Sequence, residues 1–188
     1  MSLLAAAATA LTITVRVYDL HGLSPEERAR ALAVAGETLA RAHVSVVWQD
    51  CHREPQKVLP PACADVLKRG EMVLRFQRRT DRGSHILGTA IVQEDGPNVL
   101  ASVYVEPAGE RSAKTGLPMT LILGRVTAHE IGHLLLGTNS HRPSGLMQAK
   151  WDLRRPQPAE WQFTSADAEQ IRDRLLAGRE GEVATADE

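Results

Sequence analysis

One segment limits the possible folds of this chain more than any other. Residues 117–136 are apolar on nearly every side, with Pro118 at a favourable first-turn position and Gly137 placed to end a helix in the left-handed conformation. A helix that is apolar all round must be covered by other elements. The sequence therefore predicts a buried central helix that ends at Gly137.

The last turns of this helix carry His129, Glu130 and His133. Four residues of α-helix turn through about 400°, so the two imidazoles lie on one face, roughly 6 Å apart along the axis. A hydrogen-bonded pair of helix histidines is one interpretation, but burying two unpaired imidazoles and a carboxylate is costly, and metal ligation removes that cost. We expect His129 and His133 to bind one catalytic zinc ion, because zinc suits neutral imidazole ligands. Glu130 then stands beside the metal, where a base for an attacking water is needed.

A catalytic zinc takes three protein ligands, and the chain beyond Gly137 offers a candidate for the third. His141 follows four residues later, close enough for a reversing chain to return its imidazole to the metal. The sequence Ser-Gly-Leu-Met at 144–147 then predicts a tight turn that ends in Met147.

The bulk composition excludes several classes of protein. At 188 residues the chain has the size of one domain and can bury a sizeable core. Its 43% hydrophobic and 24% charged residues are typical of a globular protein rather than of a disordered or membrane-spanning one. A net charge of -1 gives no general attraction to nucleic acid or anionic lipid. We expect a monomer without a membrane span or a nucleic-acid partner.

Alternating or apolar patterns predict five strands, at residues 11–18, 44–49, 71–77, 86–93 and 99–105. Ser24, Pro25 and Glu27 form a capping-box sequence and predict a helix to about Ala42. Its expected buried stripe comprises Ala29, Leu32, Ala33, Gly36, Leu39 and Ala40. A terminal helix is expected to follow Thr164. The pattern predicts an α+β fold with one domain at 11–178, divided into 11–137 and 138–178, and a flexible tail at 179–188.

The two cysteines and the first residues bear on the compartment. Cys51 and Cys63 flank a segment rich in proline and charge, where a disulfide would contribute roughly 3 kcal/mol. Two free thiols are the alternative. Residues 1–10 resemble the end of a signal peptide, and a frayed alanine-rich terminus is the other interpretation. Together these features favour a secreted or periplasmic protein, although a cytoplasmic one remains compatible with them.

With these residues the chain resembles the metzincin superfamily, whose signature combines a His-Glu-x-x-His helix, a glycine turn, a third histidine and a downstream methionine turn. The order of strands and helices is similar to that of the matrixin-type catalytic domain. The resemblance implies a mixed, twisted five-stranded sheet with two long helices and a small C-terminal subdomain. It also implies His129, His133 and His141 as zinc ligands, Glu130 as general base and Met147 packed beneath the site.

The spacing departs from the usual metzincin pattern in one respect. The glycine and the last ligand each follow after four residues instead of three, which puts Asn139 where the third ligand is expected. An amide oxygen is a poor zinc ligand beside imidazole, which favours His141. Asn139, Asp152 and Glu160 are the alternatives, and a glutamate would indicate a gluzincin-type peptidase.

The resemblance implies a metalloendopeptidase in which zinc activates a water molecule and Glu130 takes its proton. The strand at 99–105 could offer a free edge to an extended substrate along Val99, Ala101 and Val103, or could be an ordinary strand of the sheet. A different class of function is a zinc-binding module in which the metal only stabilises the fold. Such a site would be closed by a fourth protein ligand.

Overall fold

The computed structural model describes residues 11–52, 58, 60–79, 86–93 and 98–186, with side chains described as far as Gly178. The segment 1–10, expected to be a leader or a frayed terminus, lies outside the described residues. No described helix combines the length and the apolar character that crossing a membrane requires.

Five strands form one mixed sheet in the order β2-β1-β3-β5-β4. Strands β1, β2, β3 and β5 run parallel, whereas β4 pairs antiparallel with β5 at the edge of the sheet. This is the mixed five-stranded α+β architecture expected from the sequence. The strands span Leu11–Asp19 (β1), Val44–Asp50 (β2), Glu71–Gln77 (β3), Gly88–Ile91 (β4) and Leu100–Tyr104 (β5).

Helices α1 and α4 pack against each other and against the sheet. The predicted central helix is α4, which begins at Met119 and ends at Leu136, where Gly137 adopts a left-handed φ of 64°. The helices span Pro25–Ala40 (α1), Pro61–Ala64 (α2), Val105–Thr115 (α3), Met119–Leu136 (α4) and Ser165–Ala186 (α5), with a 3-10 turn at Pro158–Trp161.

Helix α1 begins with the expected capping box. The amide of Glu27 donates to the Ser24 hydroxyl at 3.2 Å, and the amide of Ser24 donates to the Glu27 carboxylate at 2.9 Å. The expected buried stripe is confirmed at Leu39 and wrong at Ala29, Ala33 and Ala40, which are exposed. The residues that are buried are Arg28, Ala31, Ala35, Thr38 and Leu39.

The strand predicted at 99–105 is not an edge strand. Strand β5 lies between β3 and β4, with Ala101 paired to Leu74 on one side and to Ala90 on the other. Ala101 and Val103 are completely buried. The prediction that Val99, Ala101 and Val103 present a free edge is therefore wrong, because both sides of the strand are used within the sheet.

Two segments differ in length or type from the sequence-based expectation. Residues from Val105 to Thr115 form helix α3, which the sequence analysis did not predict, and Gly116 ends it with a left-handed φ of 75°. Helix α5 continues to Ala186, beyond the end expected for the terminal helix, and the flexibility of residues 179–188 stays a prediction.

Cys51 and Cys63 form a disulfide, with their Cα atoms 5.5 Å apart. The bond links the end of β2 to α2, and it confirms the disulfide interpretation over two free thiols. The carbonyl of Cys63 also accepts a hydrogen bond from the hydroxyl of Tyr18 at 3.2 Å. The segment around α2 is thereby attached to the sheet.

Candidate metal centre

Three histidine side chains meet at the C-terminal part of α4. His129 and His133 project from the helix and His141 from the loop that follows it, and their candidate ligand atoms all lie within 4.8 Å of one another. The Nε2 atoms of His129 and His133 are 3.0 Å apart. The structure thus brings together the three histidines that the sequence analysis selected.

Backbone carbonyls set the orientation of both helix imidazoles. Nδ1 of His129 lies 2.8 Å from the carbonyl oxygen of Leu146, and Nδ1 of His133 lies 2.7 Å from that of Thr138. A carbonyl oxygen only accepts hydrogen bonds, so each Nδ1 carries the proton and each Nε2 is left with a lone pair. The two Nε2 atoms are 3.0 Å apart, so their lone pairs repel each other. A cation bound between them would attract both lone pairs. The donor set therefore fits a zinc ion.

The protonation of the two helix histidines also suits a metal site. Both are buried, with 7% of His129 and 4% of His133 exposed. Burial lowers the pKa of His129 to about 4 and lowers the pKa of His133 below its ordinary value. Both rings are consequently neutral near neutral pH, which is the form that binds metal.

Glu130 is the one acidic residue that lines the cleft in the described part of the chain. It does not belong to the group of candidate ligands, so it lies beside that group rather than in it. Burial raises the pKa of its carboxyl to about 8. A carboxylate in this environment holds a proton strongly, which is a property required of a general base.

The loop after α4 carries His141, and contacts on its other side anchor it. The next residue, Arg142, donates its amide to the carbonyl of Met147 at 2.8 Å. Its guanidinium binds the buried carboxylate of Asp167 at 3.0 Å and the side-chain oxygen of Gln170 at 2.7 Å. His141 is itself exposed, and its ring centre lies 5.4 Å from that of His129 and 5.0 Å from that of His133.

Met147 lies against the helix turn between the two helix histidines and is completely buried. The lack of a side chain at Gly132 permits this contact, since a Cβ there would lie 2.7 Å from the sulfur of Met147 and 2.7 Å from the ring of Phe163. Gly145 adopts a φ of 77°, and its carbonyl accepts a hydrogen bond from the amide of Gln148 at 3.3 Å. A tight turn that contains Met147 is thus present, one residue later than predicted.

The two tryptophans near the site have different environments. Trp151 lines the cleft, with its ring edge-on to His129 at 5.3 Å and its Nε1 donating to the Leu146 carbonyl at 3.0 Å. That carbonyl therefore holds both Trp151 and His129. Trp161 belongs to the core, where the guanidinium of Arg125 lies 5.1 Å from the centre of its ring.

The histidine cluster lines an open cleft of about 750 Å³. Residues 86–90, which include the start of β4, and residues 148–151 with Leu153 also line it. Of the alternative third ligands, Asn139 lines the cleft, whereas Asp152 and Glu160 do not belong to the cluster of candidate ligands. The described residues therefore give no support to an acidic third ligand.

Two features that shape the site were not predicted from the sequence. Gly88 lies close to Glu130, and the carbonyl of Leu146 holds His129 and Trp151 in place. A glycine within a strand pattern is a known sign of close backbone approach, so Gly88 could have been selected. A carbonyl contact depends on the backbone path and leaves no signal in the sequence.

No protein-family model and no curated protein matches the chain. The fold is similar to that of archaemetzincin from Methanopyrus kandleri, at 17% sequence identity and a TM-score of 0.52, over 88% of this chain and 96% of that one. It is also similar to metalloproteinase-II from Bacteroides fragilis, at 11% identity and a TM-score of 0.55, over 88% of this chain and 53% of that one. The chain thus spans about half of the second protein. These similarities concern the fold, and they are not specific to the matrixin type.

Proposed function

We propose that this protein is a zinc-dependent metalloendopeptidase of the metzincin type with a lengthened zinc-binding motif. The observation that carries the proposal is the cluster of His129, His133 and His141 in an open cleft that also contains Glu130. The names of the two structurally similar proteins, an archaemetzincin and a metalloproteinase, support the same class of function.

His129, His133 and His141 hold the zinc ion in this proposal. When bound, zinc lowers the pKa of a coordinated water and polarises the carbonyl of the scissile bond. Glu130 takes a proton from the attacking water as the new carbon–oxygen bond forms, and donates it to the amine as the carbon–nitrogen bond breaks. The buried position of Glu130 keeps that proton out of bulk water between the two transfers.

The free edge that a peptide substrate can use is that of β4. This strand pairs only with β5 within the described sheet, and residues 88–90 line the cleft. An extended peptide can add to such an edge through main-chain hydrogen bonds, which suits an enzyme that cleaves within a chain. Strand β4 is therefore the edge proposed for the substrate, in place of residues 99–105.

Met147 supports the metzincin assignment through its position. Its buried side chain fills the space below Gly132, between the two helix ligands, and so fixes the floor of the site. The disulfide between Cys51 and Cys63 agrees with a secreted or periplasmic location, because such bonds persist in oxidising compartments.

A structural zinc site is the competing function, and one substitution separates the two. Glu130→Gln should keep a full equivalent of zinc and lose nearly all hydrolysis of a mixed peptide library, whereas a structural site would show no hydrolysis to lose. The exposed Glu169 provides the matched control, since Glu169→Gln should change neither quantity. Zinc content by mass spectrometry and cleavage products by peptide mapping give the two readouts. A wild-type protein that binds zinc but cleaves no peptide would contradict the proposal.

The third ligand can be tested separately. His141→Ala should lower zinc affinity by a large factor, whereas Asn139→Ala should change it little. Zinc competition with a chromogenic chelator measures both variants. Loss of zinc from the Asn139 variant alone would assign the ligand to the amide.

A further inference from the structure

We propose that the cleft selects peptides that carry a carboxylate close to the scissile bond, and that Arg111 is the residue that binds it. The inference rests on the proposed peptidase function and adds the class of substrate. The described lining of the cleft carries more basic than acidic side chains. Arg111 and Lys150 are both there, and Glu130 is the one acidic residue among the lining residues that the structure describes.

The guanidinium of Arg111 has no partner within the described part of the chain: it takes part in none of the side-chain hydrogen bonds or ion pairs there. Its own helix offers none, since the residues three and four positions away are Pro107, Ala108, Lys114 and Thr115. The nearby acid Glu106 instead binds Arg78 at 3.0 Å and lies 3.5 Å from His21. Arg111 therefore keeps its charge available to the cleft.

The surroundings of Arg111 favour recognition of a carboxylate. The side chain is half-buried, and much of the lining of the cleft is apolar, including Leu87, Val126 and Leu153. A guanidinium offers paired donors that match a carboxylate, and such charge-assisted bonds strengthen when water is partly excluded. A peptide carboxylate would thus give the guanidinium of Arg111 a partner that the described part of the chain does not supply.

Lys150 adds to the same preference from another element. It follows the turn that contains Met147 and lines the cleft with Gln148 and Trp151, whereas Arg111 belongs to α3. Lys150 is exposed, so its contribution is a screened charge rather than a directed bond. Substrates with a basic residue at the corresponding position should be disfavoured by both cations.

Paired peptides test the inference. In the first set, paired peptides carry Glu or Gln at one position near the scissile bond, and all C-termini are amidated. In the second set, paired peptides of one sequence end in a free carboxylate or in an amide. We expect the wild-type kcat/KM to favour the carboxylate member of one set by roughly tenfold or more, as a charge-assisted hydrogen bond gives. The first set reports an acidic side chain and the second reports a chain terminus.

Variants assign the preference to a residue. Arg111→Gln should reduce the ratio between paired peptides to nearly one, and Arg111→Lys should retain part of it. Lys114→Gln is the matched control, because Lys114 lies one turn further on α3 and does not line the cleft. It should leave the ratio unchanged. The ratio is measured on one protein at a time, so a partly unfolded variant does not distort it.

Calorimetry of peptide binding to the zinc-loaded Glu130→Gln protein repeats the comparison without turnover. Tighter binding of the carboxylate peptides supports the inference, and equal binding overturns it. Wild-type cleavage without any preference for a carboxylate overturns the inference and leaves the peptidase function intact. Absence of cleavage of every peptide, together with equal binding, overturns both.

Discussion

The backbone of Gly88 lies directly against the side chain of Glu130. A Cβ added to Gly88 would stand 2.6 Å from Oε1 and 2.7 Å from Cγ of Glu130, and 2.8 Å from a methyl group of Val126. These distances are too short for ordinary contact, so only glycine fits there without a shift. The edge strand β4 therefore touches the residue proposed as general base, and it limits where that carboxylate can lie.

Gly88→Ala should impair catalysis without removing the metal. The new methyl group would displace the Glu130 carboxylate, and a misplacement of about 1 Å can cost up to about 100-fold in rate. We expect kcat/KM to fall between about 10- and 100-fold while zinc content stays at the wild-type value. The control is Ile91→Ala, since Ile91 lies on the same strand, is 52% exposed and does not line the cleft. Wild-type kcat/KM in the Gly88 variant would show that the contact does not constrain the base.

In the presence of a metal chelator, the stability of the protein should depend on pH, because the carboxyl of Glu130 is buried. Its pKa in the folded state is raised to about 8, so its contribution to stability is complete below its ordinary pKa and is lost as pH rises towards 8. His129 and His133 have lowered pKa values, so their contribution to stability increases with pH. It no longer changes above their ordinary pKa of 6.5. Between pH 6.5 and 8 the effect of Glu130 therefore remains.

Urea unfolding of the wild type and of Glu130→Gln in chelator measures this effect. The free energy of unfolding of the wild type should fall relative to the variant by up to ~1.4 kcal/mol per pH unit across that window and level off above it. A difference that stays constant from pH 6.5 to 8 would mean that the carboxyl titrates at its ordinary value.

Two helix glycines should respond in opposite directions to the same substitution. Gly124 of α4 faces α1 so closely that a Cβ would lie 2.5 Å from Cβ of Val34 and 2.6 Å from the carbonyl oxygen of Ala31. Backbone cannot move aside cheaply, so Gly124→Ala should destabilise the protein by about 1–3 kcal/mol. Among the residues that the structure describes, a Cβ at Gly36 would meet only Nε1 of Trp48 at 3.5 Å, an ordinary contact. Gly36→Ala should therefore stabilise by about 0.5–1 kcal/mol, and denaturant unfolding of both variants checks the signs.

Local signals predicted most of the fold. The capping box at Ser24 and the left-handed Gly137 fixed the start of α1 and the end of α4, because both depend on residues adjacent in sequence. The buried face of α1 could not be found in the same way. Alanines occur on several of its faces, and Arg28 is buried because its guanidinium binds Asp19 on β1 at 3.2 Å. That ion pair joins residues nine positions apart, and the pattern of hydrophobic residues cannot predict it.

In the candidate site too, features that depend on nearby residues were predictable from the sequence, and features that depend on the whole fold were not. The spacing of His129 and His133 on one helix determines their meeting, and the proximity of His141 follows from the reversal at Gly137. The pairing of β5 on both sides was not predictable, because an apolar strand pattern does not state which neighbours it has. Strand β4 became the edge at the cleft through sheet order, a property of the whole fold.

The loop that carries His141 should depend on the ion pair between Arg142 and Asp167. Asp167 is almost completely buried, and it also accepts hydrogen bonds from the amide and hydroxyl of Thr164 at the start of α5. Arg142→Gln removes the charge that holds the loop. Part of the free energy of zinc binding is then needed to order the imidazole of His141. We expect zinc affinity to fall about 10- to 100-fold, as is typical when a supporting partner of a ligand is lost. Arg172→Gln is the control, because Arg172 is exposed and pairs with the neighbouring Asp173, and chelator competition should return the wild-type affinity for it. Unchanged affinity in the Arg142 variant would show that other contacts hold the loop in place.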